Sequence, residues 1–187
     1  MGSLGIYVHV PFCVKKCNYC DFLSFPLKRE TDCSEVENYV NALQKEICNP
    51  FKMPESPAEV DTIYLGGGTP SLLSGRQIGT ILETIRRKFS VKSDAEITME
   101  CNQGTVTAES LRAFRDLGIN RLSIGIQSAV EKELSLLGRI HTFSQAKQAV
   151  FWAREAGFTN LSVDLMSAIP GQTIASYEHS LREILAL

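Results

Sequence analysis

Three cysteines, Cys13, Cys17 and Cys20, fall within eight residues of the stretch YVHVPFCVKKCNYCDF (7–22). A disulfide uses two cysteines, and a structural zinc site usually takes four protein ligands. A triad of thiolates suits a four-iron, four-sulfur cube, because such clusters favour thiolate ligands. The fourth iron is then left without a protein ligand. An open metal position is where a small molecule can chelate, by the logic that separates catalytic from structural zinc sites. Zinc is the competing reading, with His9 or Cys33 as fourth ligand. His9 lies on strand-like sequence before the loop, and Cys33 lies past a proline and a charged stretch. Three unrelated buried cysteines fit less well, since the loop also carries Lys15, Lys16 and Asn18.

A second set of chemistry-bearing residues stands at the ends of apolar runs. Gly66-Gly67-Gly68-Thr69-Pro70-Ser71 follows one run and precedes a helical stripe. Its backbone N–H groups suit an anionic or polar ligand, and successive glycines permit close backbone approach. No Lys-Ser/Thr follows, so it is neither a Walker loop nor the dinucleotide fingerprint; a tight strand-to-helix turn is the alternative. Glu100, Gln127 and Asp164 are single polar residues near the ends of three later runs. Each alone could be a structural hydrogen-bonding group, but together they resemble the polar contacts of one ligand. Arg139, beside Gly138, faces solvent or reaches a carboxylate in bidentate fashion. His141, just before a helix N-cap, reads as a surface or capping histidine.

These residues need elements to position them. Gly5–Val10, Val60–Leu65, Ala95–Glu100, Arg121–Gly125 and Leu161–Met166 read as strands. Between and after them run helical stripes: Val36/Tyr39/Val40/Leu43/Ile47, Ile78/Ile81/Leu82/Ile85/Phe89, Leu111/Phe114/Leu117, Ala146/Ala149/Val150/Ala153 and Tyr177/Leu181/Ile184/Leu185. Ser74 with Gln77 and Thr142 with Gln145 fit capping boxes, and Asp32 with Glu35 is a looser version. Gly118 and Gly157 sit where left-handed C-caps belong. Five strand-then-helix units imply an α/β fold with a parallel sheet covered by helices. A doubly wound sheet and a βα barrel both fit. A full eight-fold barrel takes about 250 residues, so 187 residues read as a partial (βα) TIM-like barrel, the N-terminal part of a longer domain. The segment 49–57 (NPFKMPESP) reads as a surface connection.

The formal net charge of −2 offers no bulk positive field for nucleic acid or anionic membrane. No apolar run approaches the roughly 20 residues of a membrane-spanning helix, and the N-terminus lacks a secretory pattern. Ile6 breaks the myristoylation motif that Gly2 would begin. Six cysteines without a secretion signal point to metal or catalysis in a reducing cytoplasm.

Cys13-x3-Cys17-x2-Cys20, with Tyr19 before the last cysteine, resembles the signature of radical S-adenosylmethionine (SAM) enzymes. Its flanks are Tyr7–Phe12, Gly66–Ser71, Arg121–Ser128, Gly138–His141, and Asp164–Met166 through Pro170–Gln172. They resemble the oxygen-independent coproporphyrinogen III oxidase group, along essentially the whole chain and in the right order. The resemblance implies a radical SAM core, incomplete here, with the rest of the barrel and a C-terminal domain beyond Leu187. It implies that Cys13, Cys17 and Cys20 bind a 4Fe-4S cluster whose fourth iron is chelated by SAM. Tyr7, Gly67, Gly68, Thr69, Glu100, Gln127, Arg139 and Asp164 match positions that contact SAM, and an electron from the cluster would yield a 5′-deoxyadenosyl radical. The electron donor expected is a flavodoxin or ferredoxin. Oxidases of the group carry a further cysteine two residues after the third, where this chain has Phe22. That is the pattern of the heme-chaperone branch, whose members bind heme and pass it to acceptor proteins. The oxidase is the runner-up, then a zinc-binding interaction module and a tRNA-modifying radical enzyme. Two departures stand out: Cys101-Asn102-Gln103-Gly104 where the group usually has proline after Asn or Asp, and Ala129 where an aromatic is usual.

Overall fold

The computed structural model describes residues 3–27, 32–49 and 59–187, and only the backbone of Asp32 and Cys33. Five parallel strands, β1 (Ser3–Val10), β4 (Glu59–Gly67), β5 (Ser90–Cys101), β6 (Arg121–Gln127) and β7 (Asn160–Leu165), lie side by side in chain order. Helices α1 (Asp32–Ile47), α2 (Gly75–Lys88), α3 (Ala108–Asp116), α5 (Phe143–Glu155) and α6 (Ile174–Leu185) supply the crossovers and the outer layer. This is the partial βα barrel expected from the alternation.

Side-chain period two divides the sheet into two faces. Val8, Val10, Ile63, Leu65, Ile97, Met99, Leu122, Ile124 and Ile126 point to the helices and are buried. They meet Val36 and Val40 of α1, Ile78, Ile81, Leu82 and Ile85 of α2, Leu111 and Phe114 of α3, and Ala146, Ala149, Val150 and Ala153 of α5 in one core. The alternate residues face the other way: Tyr7, Tyr64, Glu100, Ser123 and Asp164. Register brings them into a row, with Tyr7 opposite Tyr64, Glu100 opposite Ser123, and Gly125 opposite Asp164. A parallel sheet covered on both faces would be apolar on both; here the inner face is polar, as a ligand-lined barrel interior requires.

The helix signals hold at Ser74 and Thr142, where both halves of each capping box form. Gly118 and Gly157 adopt φ +95° and +87° after α3 and α5. Two further boxes, Thr107–Ser110 and Thr173–Ser176, use serine at the third helical position and escape the usual Ser/Thr-x-x-Glu/Gln pattern. Helix α1 begins at Asp32, whose side chain lies outside the described residues, as does all of the 49–57 connection except Asn49. Three elements were not expected. Strands β2 (Phe12–Cys13) and β3 (Phe25–Pro26) pair as a two-residue ladder, too short to show a period. Helix α4 (Glu131–Leu136) starts at Val130 without a side-chain cap. Strand β5 also starts at Ser90, earlier than its apolar core.

Candidate functional site

The cysteine loop leaves the C-terminal end of β1 and is tied at three places. At its base, Phe25 N donates to Pro11 O (2.7 Å) and Leu27 N to Cys13 O (2.9 Å), closing the loop through β2 and β3. Beside it, the glycine loop after β4 donates Gly68 N to Val10 O and Thr69 N to Phe12 O, both at 2.7 Å. Only glycine fits at 68, since a Cβ there would lie 2.6 Å from Phe12 O and 2.9 Å from Val10 O. At the tip, Asn18 N donates to Leu137 O and Asn18 Nδ2 to Leu136 O, each at 2.9 Å. This pins the loop to the corner after α4, where Gly138 at φ +73° leaves room for the Asn18 side chain.

The corner carries Arg139. Its Nη2 donates to Gly125 O (2.6 Å) and Gln103 Oε1 (3.3 Å). Its Nη1 lies 3.7 Å from Cys17 Sγ and 3.5 Å from Tyr19 Oη. Thr69 Oγ1 donates to Cys13 Sγ at 3.6 Å, so two of the three sulfurs already have a donor. Cys13 is buried and Cys17 and Cys20 are half-buried.

Glu100 is held by two donors, Tyr64 Oη at 2.9 Å on Oε1 and Gly67 N at 3.1 Å on Oε2. Burial pushes its carboxyl above the usual range, while the Tyr64 and Gly67 hydrogen bonds pull it down. The Tyr64 hydroxyl is held well above its ordinary value by burial and by Glu100. On β6 and β7, Ser123 Oγ donates to Asp164 Oδ2 at 3.4 Å. Gln127 has φ +73°, a left-handed conformation costly for glutamine, and its carbonyl accepts from Met166 N at 2.9 Å.

One cleft at the C-terminal ends of the strands brings together Cys13, Cys17, Cys20, Gly67, Gly68, Thr69, Glu100, Gln127, Arg139 and Asp164, with Phe22 at its edge. Tyr7 is not among the lining residues. It is exposed, stacks on Tyr64 with ring centroids 5.9 Å apart, and its hydroxyl meets His9 Nδ1 at 3.2 Å. His141 is not the surface histidine its sequence position suggests. It is 3% exposed, and neither ring nitrogen makes a well-formed hydrogen bond. Burial and the Arg139 guanidinium hold it down to about 4, with only the Ile126 carbonyl pulling the other way. Sequence reading missed Tyr64, Asn18 and Gln103. Tyr64 was within reach, because it lies two residues before Gly66 and so shares its face of the strand.

The donor set can be tested against the groups it could hold. His9 is engaged on both nitrogens, with Nε2 2.7 Å from Leu23 O, which leaves no free lone pair for zinc. Among the described residues, no three of His, Cys, Asp and Glu are spaced for a single metal ion. Three thiols lining one cleft fit the thiolate preference of an iron–sulfur cluster. The glycine loop and the carboxylates beside them fit a small polar cofactor with an amino-acid end and a ribose.

Comparison with known proteins agrees with this arrangement. The sequence profile of the radical SAM superfamily matches residues 7–184. The chain is 42% identical over its whole length to the heme chaperone HemW of Escherichia coli (strain K12), spanning 48% of that protein. It is 37% identical to heme chaperone HemW of Bacillus subtilis (strain 168), covering 97% of this chain and 47% of that one. It is 36% identical to the mitochondrial radical S-adenosyl methionine domain-containing protein 1 of Danio rerio, covering 97% of this chain and 40% of that one. The solved structure of coproporphyrinogen III oxidase (HemN) from Escherichia coli superposes with a TM-score of 0.88 at 30% identity, over 97% of this chain and 41% of that one. The chain thus spans about half the length of the curated relatives it matches. Among the described residues, no helix is long and apolar enough to cross a membrane.

Proposed function

The chain belongs to the radical SAM superfamily, and on that premise we propose that it is the cofactor-binding part of a heme chaperone. The observation that carries this reading is the single cleft where three cysteines meet the polar ends of β4, β5, β6 and β7. Cys13, Cys17 and Cys20 would hold a 4Fe-4S cluster. When bound, the cluster supplies a low-potential electron to the sulfonium of SAM. The chain's own residues bind and orient. Gly67, Gly68 and Thr69, whose backbone N–H groups are held by Glu100, Val10 and Phe12, form the wall of the cleft against which the cofactor packs closely. Glu100, oriented by Tyr64 and Gly67, offers oxygen acceptors to a ribose. Gln127 and Asp164 extend the same polar row, and Arg139 supplies a cation beside Cys17. Tyr7, stacked on Tyr64, is a further proposed contact of the cofactor.

Heme is the proposed cargo, a heme-acceptor protein the proposed recipient, and a flavodoxin or ferredoxin the proposed electron source. Phe22 supports a chaperone over an oxidase. At the position of the oxidase's further cysteine it places an exposed phenyl ring, which can ligate nothing. A reducing compartment suits three uncombined thiols, and the cytoplasm is the one we propose.

The test uses the full-length protein, reconstituted anaerobically with iron and sulfide. Four irons per chain, a reducible EPR signal, heme binding by absorbance titration, and heme transfer to an apo-acceptor are expected. Conversion of coproporphyrinogen III to protoporphyrinogen IX in the presence of reductant and SAM would move the assignment to the oxidase. Retention of one zinc and no reducible cluster would remove it from both.

A further inference from the structure

Gln103, Arg139 and His141 stand out from the rest of the interior. Among the described residues, the buried side-chain nitrogens and oxygens without a hydrogen-bond partner are Gln103 Nε2, Arg139 Nε and the two His141 ring nitrogens. Arg139 bonds Gln103 and its charge acts on His141, so the three are neighbours. Buried polar groups are ordinarily paired, so each of these calls for an explanation. Gln103 is 4% exposed and sits in a short 3-10 turn (Gln103–Thr105) after β5. Its Oε1 accepts from Arg139 Nη2 at 3.3 Å.

Gly125 O alone, at 2.6 Å from the same nitrogen, would let the guanidinium pivot about one bond. A second acceptor on Nη2 fixes the plane. With the plane fixed, Nη1 faces Cys17 Sγ at 3.7 Å and Tyr19 Oη at 3.5 Å. The direction matters because hydrogen bonds and charge at a cluster's sulfurs set its reduction potential. A cation and an N–H donor at Cys17 stabilise the electron-rich, reduced state.

We propose that Gln103 is a positioning residue that holds the Arg139 guanidinium on Cys17 and thereby raises the reduction potential of the cluster. This rests on the reading that Cys13, Cys17 and Cys20 hold a 4Fe-4S cluster. The step concerned is a one-electron transfer from an external reductant to the cluster; no bond is made or broken and no proton moves.

The experiment is an EPR-monitored titration with dithionite of the reconstituted full-length protein, without SAM, with iron per chain measured on each sample. Arg139→Ala moves the midpoint to a more negative potential. Gln103→Leu moves it the same way by less, at wild-type iron content, and adds nothing in the Arg139→Ala background. An unchanged midpoint and unchanged g-values in Gln103→Leu overturn the proposal, as does a shift that simply adds to that of Arg139→Ala. Should Gln103→Leu fail to fold, Arg139→Lys serves instead. Arginine divides these acceptors between two nitrogens, Nη2 for Gly125 O and Gln103 and Nη1 for Cys17, whereas lysine offers one, so a negative shift is expected and an unmoved midpoint overturns the proposal. A wild-type protein that takes up no reducible cluster overturns the cysteine assignment itself, a result distinct from a cluster whose potential ignores Gln103.

Discussion

The substitution Gly68→Ala tests how the cysteine loop is attached to the barrel. A Cβ at 68 would sit 2.6 Å from Phe12 O, 2.9 Å from Val10 O and 3.0 Å from Phe12 N. All three are backbone atoms, so no side chain can swing aside. Relief requires the Val10–Cys13 backbone to retreat by roughly 0.7 Å, out to ordinary contact. That movement stretches the Gly68 N–Val10 O and Thr69 N–Phe12 O bonds, both now 2.7 Å. Two weakened backbone bonds, with their groups partly unpaired, cost about 2–4 kcal/mol. Alanine's smaller unfolded-state entropy returns about 0.4–1 kcal/mol. The net loss is about 1–3.5 kcal/mol, and Cys13 moves with the strand. Urea unfolding and iron content after anaerobic reconstitution read the two effects. The control is Gly75→Ala in the first turn of α2, where the new Cβ meets only Ala113 Cβ at an acceptable 3.4 Å. That change should be neutral or stabilising by about 0.5 kcal/mol, with iron unchanged. A Gly68→Ala protein with wild-type unfolding midpoint and wild-type iron would refute the attachment argument.

Three other outcomes are expected. Cys17→Ala should abolish cluster assembly and Cys48→Ala should not; equal iron in both variants would remove the loop cysteines from the site. Tyr64→Phe deletes one donor to the Glu100 carboxylate, a loss of about 1.4 kcal/mol or more. The SAM dissociation constant, measured by equilibrium dialysis, should therefore rise about tenfold with iron content unaltered. A wild-type constant would show that Tyr64 does not act through Glu100. For His141, the folded-state value of about 4 lies below the ordinary 6.5. The unfolded chain therefore binds more protons between these values, and the stabilisation is complete above pH 6.5 and lost as pH falls toward 4, up to about 3 kcal/mol. Thermal melts between pH 7 and 4.5 should fall more steeply for wild type than for His141→Gln; parallel curves would contradict the burial argument.

The fold was legible because its signals are local. Period-two runs such as Ile63/Leu65 and Leu122/Ile124/Ile126, and four-residue spacings such as Ile78/Ile81/Leu82/Ile85, need no knowledge of partners. The same periodicity carries the polar row that lines the cleft, since each strand presents its alternate residues inward. Tyr64 belonged to that row by parity with Gly66. What stayed illegible was decided by contacts between distant segments. Asn18 looks like one more polar loop residue, yet it bonds Leu136 and Leu137 more than a hundred positions away. His141 sits between Arg139 and a capped helix, where sequence position suggests exposure, but the segment folds inward over the barrel and buries it. Tyr7 lies on the inner face as its strand position requires. Its ring stacks on Tyr64, a neighbour on the next strand that only register reveals.

The anchors of the cysteine loop explain why so little regular structure can hold a site. Between Cys13 and Phe25 no strand or helix forms, and loops of this kind are usually mobile. Here the loop is fixed by backbone bonds to β3 at its base, to the glycine loop on its flank, and through Asn18 to the α4 corner at its tip. Each anchor comes from a separate strand–helix unit, so the three sulfurs share a cleft only when those units have already packed on one another. The same corner carries Arg139, which ties Cys17 to Gly125 on β6 and to the turn after β5. The site is therefore a product of the assembled sheet rather than of the cysteine motif. A disturbance at β4, at α4 or in the turn after β5 should reach the thiols as directly as a substitution beside them.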